Sequence, residues 1–273
     1  MKHLPNLDDY ECKWYDFNGV KFPYWDQLPL KIGVKMSGGV DSATIMYILA
    51  YLKTQNLLHP QSTLHSFTAQ NWNRPYQVEF VNKTLKLIKQ KLDIDIKLEH
   101  WVEGDPYGTQ DMIDLEEAQT QVMKYAYETV KIDMNYTGRS KFLPIDFIEG
   151  TKFENEISNG CHGPPMAYKI MLNLHHPDNH RYNFDTDMQS RAWEDTPDEK
   201  VCNGSTVHPW INLNKSHVKI CSDYLGVTDE LLANTRSCEY FESPEEQYLD
   251  YEKHCGDCYW CVERLVTYGK TDA

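Results

Sequence analysis

The sequence has no long apolar run. Within its 273 residues, no stretch reaches the 18 or so consecutive apolar residues that a membrane-spanning helix requires. No apolar core follows the lysine at position 2, so the N-terminal segment does not have the pattern of a secretory signal. We therefore expect a cytoplasmic protein that does not enter a membrane.

Basic residues are scarce as well. The 27 lysines and arginines are outnumbered by 41 acidic residues, which gives a net charge of -14. A protein that holds a large polyanion usually has a basic excess, because neutralised phosphates supply much of the affinity. The composition weighs against nucleic acid as the main partner and favours a small-molecule substrate, and a homodimer stays open.

Predicted strands alternate with predicted helices along the chain. Strands are expected at 30–36, 63–68 and 94–101, with the end of another at 147–151; helices are expected after Asp41, at 75–92, at 116–130 and at 215–225. This alternation predicts an α/β fold with a doubly wound, mostly parallel sheet. Ligands bind such sheets beyond the carboxyl ends of the strands.

The pattern divides the chain into four segments. Residues 1–29 form an N-terminal extension whose aromatic residues follow neither a helical nor a strand period. Residues 30–158 are the α/β domain, and residues 206–273 are a small C-terminal helical module. Between them, 159–205 is rich in Gly, Pro, Asn, Asp and His, which predicts an insertion or an active-site loop.

A glycine-containing loop joins the first strand of this domain to its first helix. Its residues are Ser37, Gly38, Gly39, Val40, Asp41 and Ser42. The glycines let the backbone approach a phosphate, and the helix adds its positive N-terminal end. The serines can donate hydrogen bonds, and Asp41 suits Mg2+ or loop capping. The lysine of a Walker motif is absent, so this is a phosphate loop of another type.

The loop and its setting resemble the PP-loop (N-type) ATP pyrophosphatase superfamily, whose signature is S-G-G-x-D-S. The resemblance implies an adenine nucleotide alpha hydrolase-like fold, ATP and Mg2+ as cofactors, and Ser37, Asp41 and Ser42 as catalytic residues. It also implies adenylation, in which an oxygen nucleophile attacks the α-phosphate and pyrophosphate leaves into the loop. A nitrogen or sulfur nucleophile then displaces AMP.

Cysteines cluster near the C-terminal end of the sequence. The spacing C-x2-C-x2-C is followed by no C-x3-C-P continuation, and a further cysteine lies upstream; the four are Cys238, Cys255, Cys258 and Cys261. Four thiolates satisfy tetrahedral Zn2+ in a closed, structural site. An iron-sulfur cluster is the main chemical rival, and His254 in place of one cysteine stays open.

The cysteine pattern resembles the C-terminal pattern of 7-cyano-7-deazaguanine synthases. Ser237-Cys238 precedes Cys255-Gly256-x-Cys258-x-x-Cys261-x-x-Arg264. The resemblance covers roughly residues 30–100 and 206–268 and implies zinc at the cysteines. It also implies a ligase that converts a carboxylated 7-deazaguanine to the amide, the nitrile or both, with ammonia as nucleophile.

The resemblance weakens at the expected substrate pocket. The pocket motif of those synthases is replaced by residues 149–156, and insertions at about 102–140 and 160–206 have no counterpart. We expect the heterocyclic acid between residues 66–72, the Gly150-Thr151 turn and the C-terminal module, with an aromatic residue such as Phe67 or Trp72 stacking on it.

Two other functions stay open. The same loop serves tRNA-modifying enzymes of the thiolation or lysidine type, against which the acidic balance counts. A non-catalytic nucleotide-binding partner protein is the third hypothesis, and the intact Ser37, Asp41 and Ser42 argue against it.

Overall fold

The computed structural model describes residues 7–71, 76–104, 113–138, 140, 201–211, 213–237, 254 and 259–270. The strands are β1 (Lys13–Phe17), β2 (Val20–Tyr24), β3 (Lys31–Lys35), β4 (Thr63–Asn71), β5 (Leu98–Gly104), β6 (Met134–Thr137), β7 (Cys202–Asn203) and β8 (Thr206–Val207). The helices are α1 (Val40–Thr54), α2 (Tyr76–Leu92), α3 (Leu115–Tyr125), α4 (Lys215–Tyr224), α5 (Thr228–Ala233) and α6 (Tyr259–Tyr268). No helix among the described residues is long and apolar enough to cross a membrane.

The main sheet has the strand order β5-β4-β3-β6-β8-β7. In this order, the first five strands (β5, β4, β3, β6 and β8) run parallel to one another. The described edge strand β7 pairs antiparallel with β8. Because β4 and β5 extend the sheet on one side of β3 and β6 extends it on the other, the strand order reverses beside β3. A crevice at the carboxyl ends of the strands forms at such a point.

Helices cover both faces of this sheet. Alternate residues of β4 point to opposite faces: Leu64 belongs to the large core that includes α1 and α2, whereas Phe67 packs with α3. Helix α1 is buried along nearly its whole length because it lies between the sheet and helices α2, α4 and α5. The predicted α/β fold with a parallel sheet between two helical layers is confirmed.

The N-terminal segment holds a β-hairpin, which the sequence analysis did not predict. Strands β1 and β2 pair antiparallel around Asn18 and Gly19, both with positive φ (50° and 91°). Asn-Gly is a preferred pair for such a two-residue turn. The side chains of Phe17 and Phe22 are fully buried in the main core, so the hairpin packs on the α/β unit.

A central strand was also missed. Strand β6 lies inside the stretch at about 102–140 that was expected to be an insertion. It pairs in parallel with residues Ile32–Lys35 of β3. The β7-β8 hairpin lies across the predicted boundary at 205/206 and extends the same sheet. The strand expected at 147–151 lies outside the described residues, and the division into four segments stays a prediction.

Candidate phosphate-binding site

The loop between β3 and α1 has the backbone shape of an anion site. Gly38 has φ +78°, a left-handed conformation that favours glycine, and Gly39 is the extended N-cap residue of α1. No side chain caps the helix at this residue, and the assignment of Asp41 to Mg2+ or to loop capping stays a prediction. The N-terminal end of a 15-residue helix therefore faces the crevice at the sheet reversal.

The two serines have different roles in the loop. Ser37 is exposed, whereas Ser42 is buried and its Oγ accepts from Ser37 N (3.2 Å) and donates to Gly39 O (3.2 Å). Gly39 N donates to Ser37 Oγ at 3.3 Å. Ser42 therefore fixes the shape of the loop from inside, and Ser37 is the hydroxyl that a ligand can reach.

Residues far away in the sequence hold the loop from outside. Gln77 Nε2 donates to Ser37 O (3.0 Å), and its Oε1 accepts from Asn71 N (2.7 Å). Arg236 N donates to Gly38 O at 2.8 Å. A Cβ added at Gly38 would lie 3.0 Å from the backbone oxygen of Gln77, so this position needs glycine for space as well as for φ.

The loop after β6 also reaches the start of α1. A Cβ at Gly138 would lie 2.8 Å from Ser42 N, too close for any side chain without a shift. Ser140, two residues after Gly138, donates a hydrogen bond from its hydroxyl to Asp41 Oδ2 at 3.0 Å. The carboxyl ends of β3 and β6 therefore meet at the phosphate loop, as expected for a sheet-reversal site.

Asp41 is held by a buried lysine. Lys215 Nζ lies 2.7 Å from Asp41 Oδ2, and the two side chains are 4% and 15% exposed. Trp210 Nε1 donates to Asp41 O at 3.3 Å. The other carboxylate oxygen, Oδ1, is buried and accepts no hydrogen bond from the described residues. An unpaired carboxylate oxygen beside a phosphate loop fits the expected Mg2+.

Lys215 stays charged in this setting. Burial alone lowers its pKa, but the carboxylates of Asp41 and Glu263 outweigh burial, and the pKa is raised above its usual value. Lys215 Nζ lies 3.3 Å from Glu263 Oε2, whose side chain is 1% exposed. The lysine therefore links the phosphate loop to helix α6.

The candidate metal ligands are partly described. Cys261 is fully buried on α6, and its Sγ lies 3.4 Å from His254 Nδ1. Two ligands of one tetrahedral zinc ion are about 3.6 Å apart, so this pair fits. Cys238, Cys255 and Cys258 lie outside the described residues. Among the described residues, no three His, Cys, Asp or Glu side chains form a group that could hold a metal ion. Zinc stays a prediction.

One residue expected to line a substrate pocket lies in the protein core instead. Phe67 is completely buried and packs with Val122, Ala126 and Ile132 on the α3 side of the sheet. Its ring therefore has no free face for stacking on a ligand, which disagrees with its expected role. Trp72, Gly150 and Thr151 lie outside the described residues.

Several residues that support the loop could not be identified from the sequence, namely Gln77, Gly138, Ser140, Trp210 and Glu263. None of them belongs to a short motif, and each reaches the loop only through the tertiary fold. Lys215 lies within the synthase-like segment 206–268, but no role was predicted for it. The local signal at Lys215 was its place directly after Asn214, which caps helix α4.

No protein-family model matches the chain, and neither does any curated protein. Similar solved structures include a U34-tRNA thiolase from Methanococcus maripaludis with its 4Fe-4S cluster, at 13% identity and a TM-score of 0.41, over 89% of this chain and 72% of that one. They also include an NMN synthetase from Francisella tularensis, at 15% identity and a TM-score of 0.37, over 90% of this chain and 80% of that one. Neither likeness is close enough to carry a functional inference.

Proposed function

We propose that this chain is an ATP-dependent adenylating ligase that splits ATP between its α- and β-phosphates. The observation that carries the proposal is the β3–α1 loop: an exposed Ser37, a left-handed Gly38 and an uncapped helix N-terminus at the reversal of a parallel sheet. This arrangement supports binding of a pyrophosphate group by N–H donors and one hydroxyl.

The groups at this site have separate roles in the proposed reaction. Ser37 Oγ and the N–H groups at the start of α1 hold the departing pyrophosphate, where negative charge increases during the reaction. Asp41 is the residue that would hold Mg2+, through its Oδ1, which accepts no hydrogen bond from the described residues; the ion neutralises part of that charge when it is bound. Lys215 holds the Asp41 carboxylate in place.

The finer proposal concerns the acceptor. We propose a carboxylated 7-deazaguanine or a similar heterocyclic acid. Its carboxylate attacks the α-phosphate of ATP and releases pyrophosphate, and ammonia then displaces AMP to give the amide. A nitrile requires a second ATP, which adenylates the amide oxygen so that this oxygen leaves with AMP. The order Ser237-Cys238, Cys255, Cys258, Cys261 and Arg264 supports it. In the structure, the backbone of the segment before Cys238 contacts the phosphate loop, since Arg236 N donates to Gly38 O.

The test is product analysis. The protein is incubated with ATP, Mg2+, ammonium and the carboxy-deazaguanine, and mass spectrometry identifies both nucleotide and heterocyclic products. We expect AMP, pyrophosphate and the amide or nitrile, and we expect Ser37→Ala to lower the rate about 100-fold because it removes one donor to the leaving group. ADP as the product would exclude the adenylating mechanism.

Other acceptors separate the remaining hypotheses. AMP formation that requires tRNA would favour a tRNA-modifying enzyme, and AMP formation with another carboxylate would remove the deazaguanine proposal alone. ATP binding without turnover on any acid, amide or RNA would favour a nucleotide-binding partner protein.

A further inference from the structure

Three charged side chains from distant parts of the chain meet behind the phosphate loop. Lys215 Nζ lies between Asp41 Oδ2 (2.7 Å) and Glu263 Oε2 (3.3 Å). The Glu263 side chain is 1% exposed, which is rare for a glutamate and requires compensation by other groups. This contact joins helix α6 to the loop that the proposed function uses.

The position of Glu263 is fixed by its neighbours on α6. Arg264 is 1% exposed, donates from Nη1 to Thr235 Oγ1 at 3.2 Å and donates from Nη2 to Leu232 O at the end of α5. Cys261, two residues before Glu263, is the last cysteine of the cluster and is also buried. The helix that carries the candidate metal ligand therefore also carries the second carboxylate partner of Lys215.

Sharing the lysine has a consequence for Asp41. Asp41 Oδ2 receives hydrogen bonds from Lys215 and Ser140, and Oδ1 accepts none from the described residues. If the charge of Glu263 were lost, one of the two carboxylates described beside the ammonium would be removed, and the ion pair between Lys215 and Asp41 would change in strength and geometry. The orientation of the Asp41 carboxylate depends on that ion pair.

We propose that Glu263 is a positioning residue for the phosphate loop: by sharing the Lys215 ammonium with Asp41, it sets the Asp41 carboxylate for nucleotide chemistry. It thereby makes the C-terminal cysteine-bearing helix a working part of the ATP site. The nucleotide part of this inference rests on the proposed function, whereas the effect on the loop does not.

The test uses the full-length protein and three variants. Glu263→Gln removes the charge with the same shape, and Glu263→Asp keeps the charge on a shorter side chain. Glu230→Gln is the matched control, because it makes the same substitution at a glutamate of α5 whose ion pair is with Lys91 of α2 and not with Lys215. Amide hydrogen exchange of residues 37–42 is measured without nucleotide, and pyrophosphate release is measured with ATP and Mg2+.

We expect Glu263→Gln to speed exchange in residues 37–42 about tenfold, while Glu230→Gln leaves exchange in residues 37–42 unchanged. Pyrophosphate release by Glu263→Gln should fall about tenfold in kcat with KM for ATP within about threefold, and Glu263→Asp should recover part of it.

Unchanged loop exchange in Glu263→Gln, or equal loop exchange in Glu263→Gln and Glu230→Gln, would overturn the proposal. If the proposed function is wrong, the wild-type chain will form no AMP. The exchange measurement would still decide whether Glu263 positions the loop.

Discussion

At the scale of single residues, Asp41 and Lys215 show how a short motif depends on the rest of the fold. The motif supplies the carboxylate, but Lys215, Ser140 and Trp210 fix where it lies. A buried charge that loses its partner is strongly destabilising. Substitutions at this pair are therefore expected to change stability as well as chemistry.

We predict that Lys215→Met lowers the free energy of unfolding by about 3–5 kcal/mol, because it leaves Asp41 and Glu263 without their shared cation. The matched control is Lys219→Met on the same helix, whose exposed pair with Asp223 should contribute less than about 1 kcal/mol. Urea denaturation measures both. Equal losses would show that the buried lysine contributes no more than a surface one.

The direction of the pKa shift of Lys215 determines how its contribution to stability depends on pH. The pKa of Lys215 is raised on folding, so its stabilisation is fully present below the usual value of 10.5 and is lost only as pH rises through the raised value. The deficit of Lys215→Met should therefore stay constant between about pH 6 and 9 as far as this lysine is concerned.

A second prediction concerns Gly38. Gly38→Ala combines a left-handed φ of +78° with a Cβ 3.0 Å from Gln77 O, so it should weaken ATP·Mg2+ binding more than about tenfold. Gly226→Ala is the control, since its φ of +66° is similar but nothing lies within 4 Å of its Cβ. Titration calorimetry compares their affinities. Unimpaired binding by Gly38→Ala would mean that the loop does not hold the phosphates.

Some residue roles could be predicted from the sequence and others could not. The loop residues 37–42 are contiguous, so their local pattern was sufficient to place them between a strand and a helix. Gln77 and Glu263 contact the loop only after α2 and α6 have packed, and no local pattern encodes that packing. Phe67 was misjudged because an aromatic residue near a strand end has the same sequence signature in a core as in a pocket.

At the scale of elements, the regular αβ units were predicted and the short pieces were not. The predicted strand at 94–101 is displaced to Leu98–Gly104, whereas α2 ends at the predicted Leu92. Strand β6 was missed although its four residues, Met-Asn-Tyr-Thr, alternate between apolar and polar types, because four residues are the shortest run in which this period is recognised. The N-terminal hairpin was missed although Asn18-Gly19 is a strong turn signal.

The hairpin should be essential to the α/β unit. Phe22 stacks on Tyr136 of β6 at 5.7 Å between ring centroids and contacts Trp210 at 5.5 Å. We predict that Phe22→Ala lowers the free energy of unfolding by about 3–5 kcal/mol, as expected for a buried phenylalanine. Tyr224→Ala, at a ring that is 42% exposed, should cost about 1 kcal/mol or less. Thermal unfolding ranks the two, and a similar Tm for both would contradict this role.

At the scale of the whole molecule, the cysteine cluster is expected to hold about one zinc ion per chain in a colourless protein. Cys261→Ser should lose the metal, whereas Cys221→Ser should keep it, because burial raises the pKa of the Cys221 thiol and keeps it protonated in the apolar core. Elemental analysis and absorption spectra test this. A brown protein that absorbs near about 400 nm would show an iron-sulfur cluster instead.

The phosphate loop is completed by contacts that span much of the chain. Asp41 lies 169 residues from Trp210 and 174 residues from Lys215, whereas Gln77 is 40 residues from Ser37. Long-range contacts of this kind raise contact order and slow folding. During synthesis on the ribosome, the signature leaves the exit tunnel early, but its supports arrive late. A nascent chain should therefore acquire nucleotide binding only after α4 and then α6 have emerged.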